Sequence, residues 1–240
     1  CLKQSLLRKF RIIVVYSKLN NEKLVKNRFL DLKNLIFLKC PLKKISPTND
    51  QLFKIEMATK FLKDEWVLLL DGDDLFLEKK LKTLQTLNLN KNKVYLHDHQ
   101  IITGKTLSNS TKHKNYKKLF LYKFLFNDWP EKINTSSILL SSKTLKNFYK
   151  MANPYQWKYL AIDVQLVLHF YYKNKFVFLS KILTLKRENI NNLDKKYSNY
   201  FSKIYWLRRL EQHNMTEKNS HKKNFFDRVI TLFFLKIFIY

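Results

Sequence analysis

Trp66-Val67-Leu68-Leu69-Leu70-Asp71-Gly72-Asp73-Asp74 is an apolar run that ends abruptly in three carboxylates and a glycine. So short a run predicts a strand buried on both faces, as in a parallel sheet covered by helices. Ligands in open α/β sheets bind at the carboxyl ends of such strands, so the acids fall where chemistry is usually done. Asp71 and Asp73 are two positions apart and point to the same side if the backbone is extended. Two hard oxygen ligands on one side suit Mg²⁺ or Mn²⁺, which take a couple of carboxylates and complete their shell with water and phosphate oxygens. Gly72 lets a phosphate or ribose approach the backbone closely. The plainer alternative is a polar turn after a core strand, since Asp and Gly are ordinary turn residues. Against it, three acids side by side concentrate repulsion without an evident structural gain.

Working outward, residues 10–17, with Ile12-Ile13-Val14-Val15 at their centre, read as a strand, and residues 1–9 as the end of a preceding helix. Residues 20–29 read as helical with Leu24, Val25 and Phe29 on one face, and 35–38 as a short strand stopped by Pro41. Ser46-Pro47-Thr48-Asn49-Asp50 starts a helix over 51–62, striped by Leu52, Ile55, Ala58, Thr59 and Leu62. After the acids, 75–87 reads as helical and 93–97 as a strand. Residues 103–118 read as a basic loop, 142–149 as a short helix, 163–172 as a strongly apolar helix and 175–185 as one or two strands. Strands alternating with helices predict βαβ units in one mainly parallel sheet. The expected division is a domain over 1–190 and a basic helical tail over 191–240, helical at 205–210 and apolar from 225 to 240.

Composition narrows the function classes. The 240 residues suffice for one sizeable α/β domain with a tail. With 46 Lys+Arg against 19 Asp+Glu the net charge is +27, which points to an anionic partner: nucleic acid, a membrane surface or phosphorylated substrates. A Lys- and Asn-rich composition with simply solvated lysines is the alternative. Two Gly and four Pro exclude a low-complexity or linker-rich protein. Cys1 and Cys40 make neither a disulfide framework nor a zinc site, which fits a reducing compartment. No helix-turn-helix, zinc or RNA-binding motif accompanies the charge, so no specific nucleic-acid partner is expected.

Taken in order, several pieces resemble family 2 glycosyltransferases of the GT-A fold, over roughly residues 1–190. Ile12-Ile13-Val14-Val15 resembles that family's second strand, and Gln51 and Lys54 resemble a donor-side segment of bacterial members. Leu70-Asp71-Gly72-Asp73-Asp74 resembles the Asp-x-Asp motif that holds the nucleotide-sugar diphosphate through a metal. Asn134-Thr135-Ser136-Ser137-Ile138 resembles the strand entering the acceptor half. Ile162-Asp163 resembles the Glu-Asp segment whose Asp is the catalytic base, and residues 179–187 resemble the closing strand with its terminal arginine. The family's first strand, with its Pro-containing loop, is absent, so the chain reads as an N-terminally truncated member. Tyr16-Ser17 replaces the acid that reads the uracil, and Ile162 stands where the family has Glu.

The resemblance implies a metal-dependent, inverting transfer of a sugar from a nucleotide-diphosphate donor to a glycan or lipid-linked acceptor in envelope polysaccharide synthesis. Asp163 is then the base, Asp73 and Asp71 hold Mn²⁺ or Mg²⁺, and Asp71, Gly72, Asp74, Gln51, Lys54 and Arg187 face the donor. As structure alone, Asp163 is also a good first-turn helix residue. His97 and His99, alternating around Asp98, read as a strand-end polar cluster rather than a metal pair, and Trp129 and Trp157 as core rather than sugar-stacking residues. The 225–240 segment is too short for a full span, which takes about 20 apolar residues. With Lys222-Lys223 before it, it reads as a truncated membrane helix or an interfacial helix in peripheral contact with an anionic membrane at the cytoplasmic face of the plasma membrane, and equally well as a C-terminal helix packed on the domain. A haloacid-dehalogenase-type phosphatase with Asp71 as nucleophile is an alternative, but its motif continues Gly-Thr in a first strand. A non-catalytic relative that binds anions or nucleic acid is another.

Overall fold

The computed structural model describes residues 10–18, 22–28, 34–41, 45–104, 106–107, 129–130, 133–188, 199–220 and 224–238. The helix end expected at 1–9, most of the 103–118 loop, Lys222-Lys223 and the side chains of Leu24, Val25 and Phe29 lie outside the described residues. In chain order the strands are β1 (Ile12–Tyr16), β2 (Leu35–Lys39), β3 (Trp66–Leu68), β4 (Leu75–Phe76), β5 (Val94–Thr103), β6 (Thr106–Leu107), β7 (Ile138–Ser141) and β8 (Phe176–Glu188). The helices are α1 (Glu22–Arg28), α2 (Pro47–Thr59), α3 (Lys80–Gln85), α4 (Ser142–Ala152), α5 (Ile162–Tyr171), α6 (Lys203–Ser220) and α7 (Phe225–Ile237).

The class is the expected one, an α/β fold with a sheet flanked by helices, but the strand directions differ from a mainly parallel sheet. β1 and β2 pair in parallel as a separate two-stranded sheet, and the other strands form a six-stranded sheet in the order β3-β7-β5-β8-β4, with β6 on β5. Among the described residues, within it only β5 and β8 run parallel; β3–β7, β5–β7, β4–β8 and β5–β6 are antiparallel. β7 lies between β3 and β5 and runs against both. The strand signal of alternating or continuous apolar residues carries no direction, so this was not in the sequence pattern.

β3 stops at Leu68, two residues earlier than expected. It is an edge strand, yet both faces are packed. Val67 joins Leu52, Leu96, Ile138, Leu140, Leu145, Phe148, Ile162 and Leu166 beneath α2, α4 and α5. Trp66 and Leu68 lie on the other face with Leu84, Tyr95, Leu139 and Leu183. The helix expected over 75–87 is instead β4 followed by α3. Leu75-Phe76 is drawn onto Leu185 and Thr184 of β8, so tertiary pairing overrides local helix preference.

Capping follows the sequence. Ser46 accepts the Asn49 N–H at 3.2 Å, with Pro47 next in line, to start α2. Ser141 accepts the Thr144 N–H at 3.1 Å to start α4, and Asn153, at φ 45°, ends it in the left-handed region that Asn tolerates. Within the expected tail the described residues form two helices, α6 and α7. α6 packs on α5 through Met215, which joins Trp157, Leu160, Val164 and Leu168. Glu211 of α6 accepts the backbone N–H groups of Lys158 and Tyr159 at 2.9 and 2.7 Å.

Candidate functional site

The acids lie in a tight turn rather than in extended backbone. The Asp74 N–H donates to the Asp71 carbonyl at 3.2 Å, closing the turn from 71 to 74. Asp71 is half-buried while Gly72 and Asp73 are exposed. Extended-strand alternation therefore does not set how Asp71 and Asp73 are related; the turn does. At Gly72 an added Cβ would meet nothing within 4 Å, so no internal contact demands glycine and the space before it is open.

Three segments far apart in sequence hold the turn. The Asp71 N–H donates to Ser136 Oγ at 2.9 Å, and Gln51 Nε2, from α2, donates to Asp71 Oδ1 at 2.9 Å. Asp74 is buried: its Oδ2 accepts Asn134 Nδ2 at 3.1 Å and its Oδ1 accepts the Arg187 N–H at 3.0 Å. So Asp74 faces inward and fastens the turn to β8, while the Arg187 side chain is exposed beside it. Lys54, one helical turn beyond Gln51, forms an ion pair with Asp50 at 2.6 Å instead of reaching the acids.

Asp163 occupies the first turn of α5, where its Oδ1 accepts the Val164 N–H at 2.7 Å. Its charge bears on Asp71. Burial pushes the Asp71 carboxyl up to about 7, and the next largest cause is the charge of Asp163, followed by Asp74; Gln51 opposes them and Asp73 adds a little. Two acids some ninety positions apart thus share one electrostatic environment.

Beneath the turn lies a residue that sequence reasoning missed. Lys80 is fully buried. Its Nζ donates to the Ser136 carbonyl at 2.8 Å and to Thr184 Oγ1 at 3.1 Å, and lies 3.4 Å from the centre of the Phe76 ring. Burial holds its amine well below the ordinary lysine range, against the pull of Asp74. Thr184 Oγ1 in turn donates to the Ser136 carbonyl at 3.0 Å. In a chain this rich in lysine, no pattern singled out Lys80. The polar run Asn134-Thr135-Ser136-Ser137, all buried, was the one signal that a second segment meets the acids.

Among the described residues no three His, Cys, Asp or Glu side chains are grouped to hold a metal. A cation here would take at most two carboxylates, Asp73 and Asp71, with phosphate and water completing its shell, a ligand set that suits Mg²⁺ or Mn²⁺. The crowding of acids around Asp71 fits such a cation, since it would relieve their repulsion. His97, Asp98 and His99 are buried mid-strand in β5, not at its end, opposite an irregularity in the β5–β8 register. Trp157 is core, and Trp129 donates its Nε1 to Thr216 Oγ1 of α6 at 2.8 Å. An apolar cavity of about 380 Å³ beside Trp66, Leu68, Leu81, Leu84 and Leu139 includes none of the four acids.

The α/β architecture that carries this site is shared with solved structures. Solved structures that share it are of S. aureus TarS: one crystal structure matches with a TM-score of 0.60 and 15% identity, over 99% of this chain and 38% of that one. The crystal structure of S. aureus TarS 1–349 in complex with UDP matches with a TM-score of 0.59 and 15% identity, over 99% of this chain and 64% of that one. The chain therefore spans less than two thirds of either. No family model and no curated protein matches the sequence.

Proposed function

We propose that the protein transfers a sugar, with inversion, from a nucleotide-diphosphate donor to a glycan or lipid-linked acceptor of envelope polysaccharide. The observation that carries this reading is that the charge of Asp163, in the first turn of α5, bears on the half-buried Asp71 that Gln51 holds. The fold shared with a UDP-bound TarS structure supports a nucleotide-sugar donor. It also favours transfer over the phosphatase alternative.

Asp71, Asp73 and the open space at Gly72 receive the donor's diphosphate end, with Gln51 fixing the Asp71 carboxylate. Mn²⁺ or Mg²⁺ held by Asp73 and Asp71 would neutralise charge on the departing diphosphate. The Arg187 guanidinium would add to that neutralisation. The acceptor hydroxyl attacks the anomeric carbon from the side opposite the diphosphate, the bond to the diphosphate breaks, and Asp163 takes the hydroxyl proton. The rigid first turn of α5 holds that base in place.

Thermal-shift titration of a panel of nucleotide-sugars, with and without Mn²⁺, tests the donor half. UDP- or another nucleotide-sugar should raise Tm only when Mn²⁺ is present, and Asp73→Asn should abolish the shift while leaving the unliganded Tm near the parent's, since Asp73 is exposed. A Mn²⁺-dependent shift unchanged in Asp73→Asn would remove Asp73 from the metal site.

A further inference from the structure

α7 is amphipathic the wrong way round for a helix facing water. Two of its polar residues, Asp227 and Thr231, point inward and are fully buried. Asp227 accepts from Arg209 of α6, Thr231 Oγ1 bonds His213 Nε2 at 3.1 Å, and the Asp227 carbonyl accepts Thr231 Oγ1 at 2.9 Å. Leu235 is buried beside them, but six other apolar residues point outward: Phe225 is 79% exposed, Phe233 60%, and Phe226, Val229, Leu232 and Ile237 each more than 40%. The helix cannot roll to hide them. Arg228 bonds Glu217 at 2.8 Å on one flank, and Phe234 stacks on Trp206 at 4.4 Å near the far end. Contiguous exposed apolar surface of this kind marks an interaction site.

The charge says what covers it. The chain carries +27, so a second copy brings like charge against like, whereas an anionic surface attracts it. The exposed Lys236 continues the 229–232–233 series on the apolar face, the arrangement of an interfacial helix whose lysine stem reaches up to headgroups. No helix among the described residues is long and apolar enough to cross a membrane. α7, about 20 Å long by its rise, is moreover occupied by α6 along one whole side, leaving one face for lipid.

We infer that the outward face of α7, Phe225, Phe226, Val229, Leu232, Phe233 and Ile237 with Lys236, docks in the headgroup boundary of an anionic bilayer. This goes beyond the reading above and is independent of sugar transfer. A chain that transfers sugar but stays off vesicles fails here alone.

The test is flotation of the full chain with vesicles of phosphatidylcholine alone and of phosphatidylcholine with phosphatidylglycerol, at low and high NaCl. The comparison is the triple variant Phe225→Gln, Val229→Gln and Phe233→Gln. These side chains face solvent, so far-UV circular dichroism should not change. The parent should float with the anionic vesicles, less at high salt, and the triple variant should lose roughly 100-fold or more in partitioning. Equal flotation of the triple variant overturns the assignment. So does parent binding to phosphatidylcholine that matches the anionic mixture at every salt concentration. Sedimentation velocity supplies the other outcome: a parent dimer lost in the triple variant, without vesicle binding, makes the face a contact between copies and overturns the lipid assignment.

Discussion

Replacing Lys80 by Met keeps the length of the side chain and removes the amine from beneath the acidic turn. The amine makes two hydrogen bonds, to Ser136 O and Thr184 Oγ1. Removing it leaves the buried Ser136 carbonyl and Thr184 Oγ1 without that donor, which costs about 1–3 kcal/mol. In a chain of this size that lowers Tm by roughly 2–12 °C. Lys80 also leaves a pH signature. Its amine lies well below the ordinary lysine range in the folded chain, while the unfolded chain titrates near ~10.4. Between the folded value and that value the unfolded state binds more protons, so this group makes stability rise with pH across the window. Lys80→Met removes the rise. The assay is urea unfolding across alkaline pH of the parent, Lys80→Met, Asp74→Asn and the double variant. The double variant should lose less than the sum of the single losses, because both side chains hold the turn through the same Asn134–Ser136 segment. Strict additivity, or a Lys80→Met chain as stable as the parent at neutral pH, refutes the claim that Lys80 underpins the turn.

Glu211→Gln keeps one acceptor for the backbone of Lys158 and Tyr159 and loses the other. It should reduce stability by about 1–2 kcal/mol. It should also lower kcat with donor affinity unchanged, since the loop it clamps leads into the Asp163 turn; steady-state kinetics with donor titration checks this. His169 is held down to about 4 by burial first and then by Lys173, against an ordinary value of 6.5. The folded chain therefore keeps it neutral where the unfolded chain protonates it, and stability falls as pH drops from 6.5 toward 4. His169→Gln should flatten that part of the stability–pH curve, and denaturant titrations from pH 7 to pH 4 would reveal an unchanged slope if the reasoning is wrong.

The acidic turn, the helix cap at Ser46, the two-faced packing of β3 and the placement of Asp163 in a first helical turn were legible in the sequence. Each has a local signature: an apolar run into carboxylates, Ser-Pro before a stripe, an acid opening an apolar helix. What was not legible depends on partners distant in sequence. Strand direction follows from where β7 inserts, β4 exists because β8 offers it an edge, and Lys80 is buried only because Ser136 and Thr184 converge on it. Lys54 was expected at the donor and is instead neutralised by Asp50, one turn away on α2, a pairing that i,i+4 spacing makes visible. The inverted polarity of α7 needed the position of α6, since an apolar helix with a few polar residues reads the same from sequence whichever face is buried.

The central claim is that Asp163 and the Asp71–Asp73 turn act together on one sugar. Its most direct test is the rate of transfer by Asp163→Asn, measured beside its affinity for the donor that the thermal-shift panel identifies. Affinity should stay within about threefold of the parent's while turnover drops by several orders of magnitude, the mark of an interaction made only in the transition state. Transfer by Asp163→Asn at near the parent rate, with donor binding intact, would contradict the account.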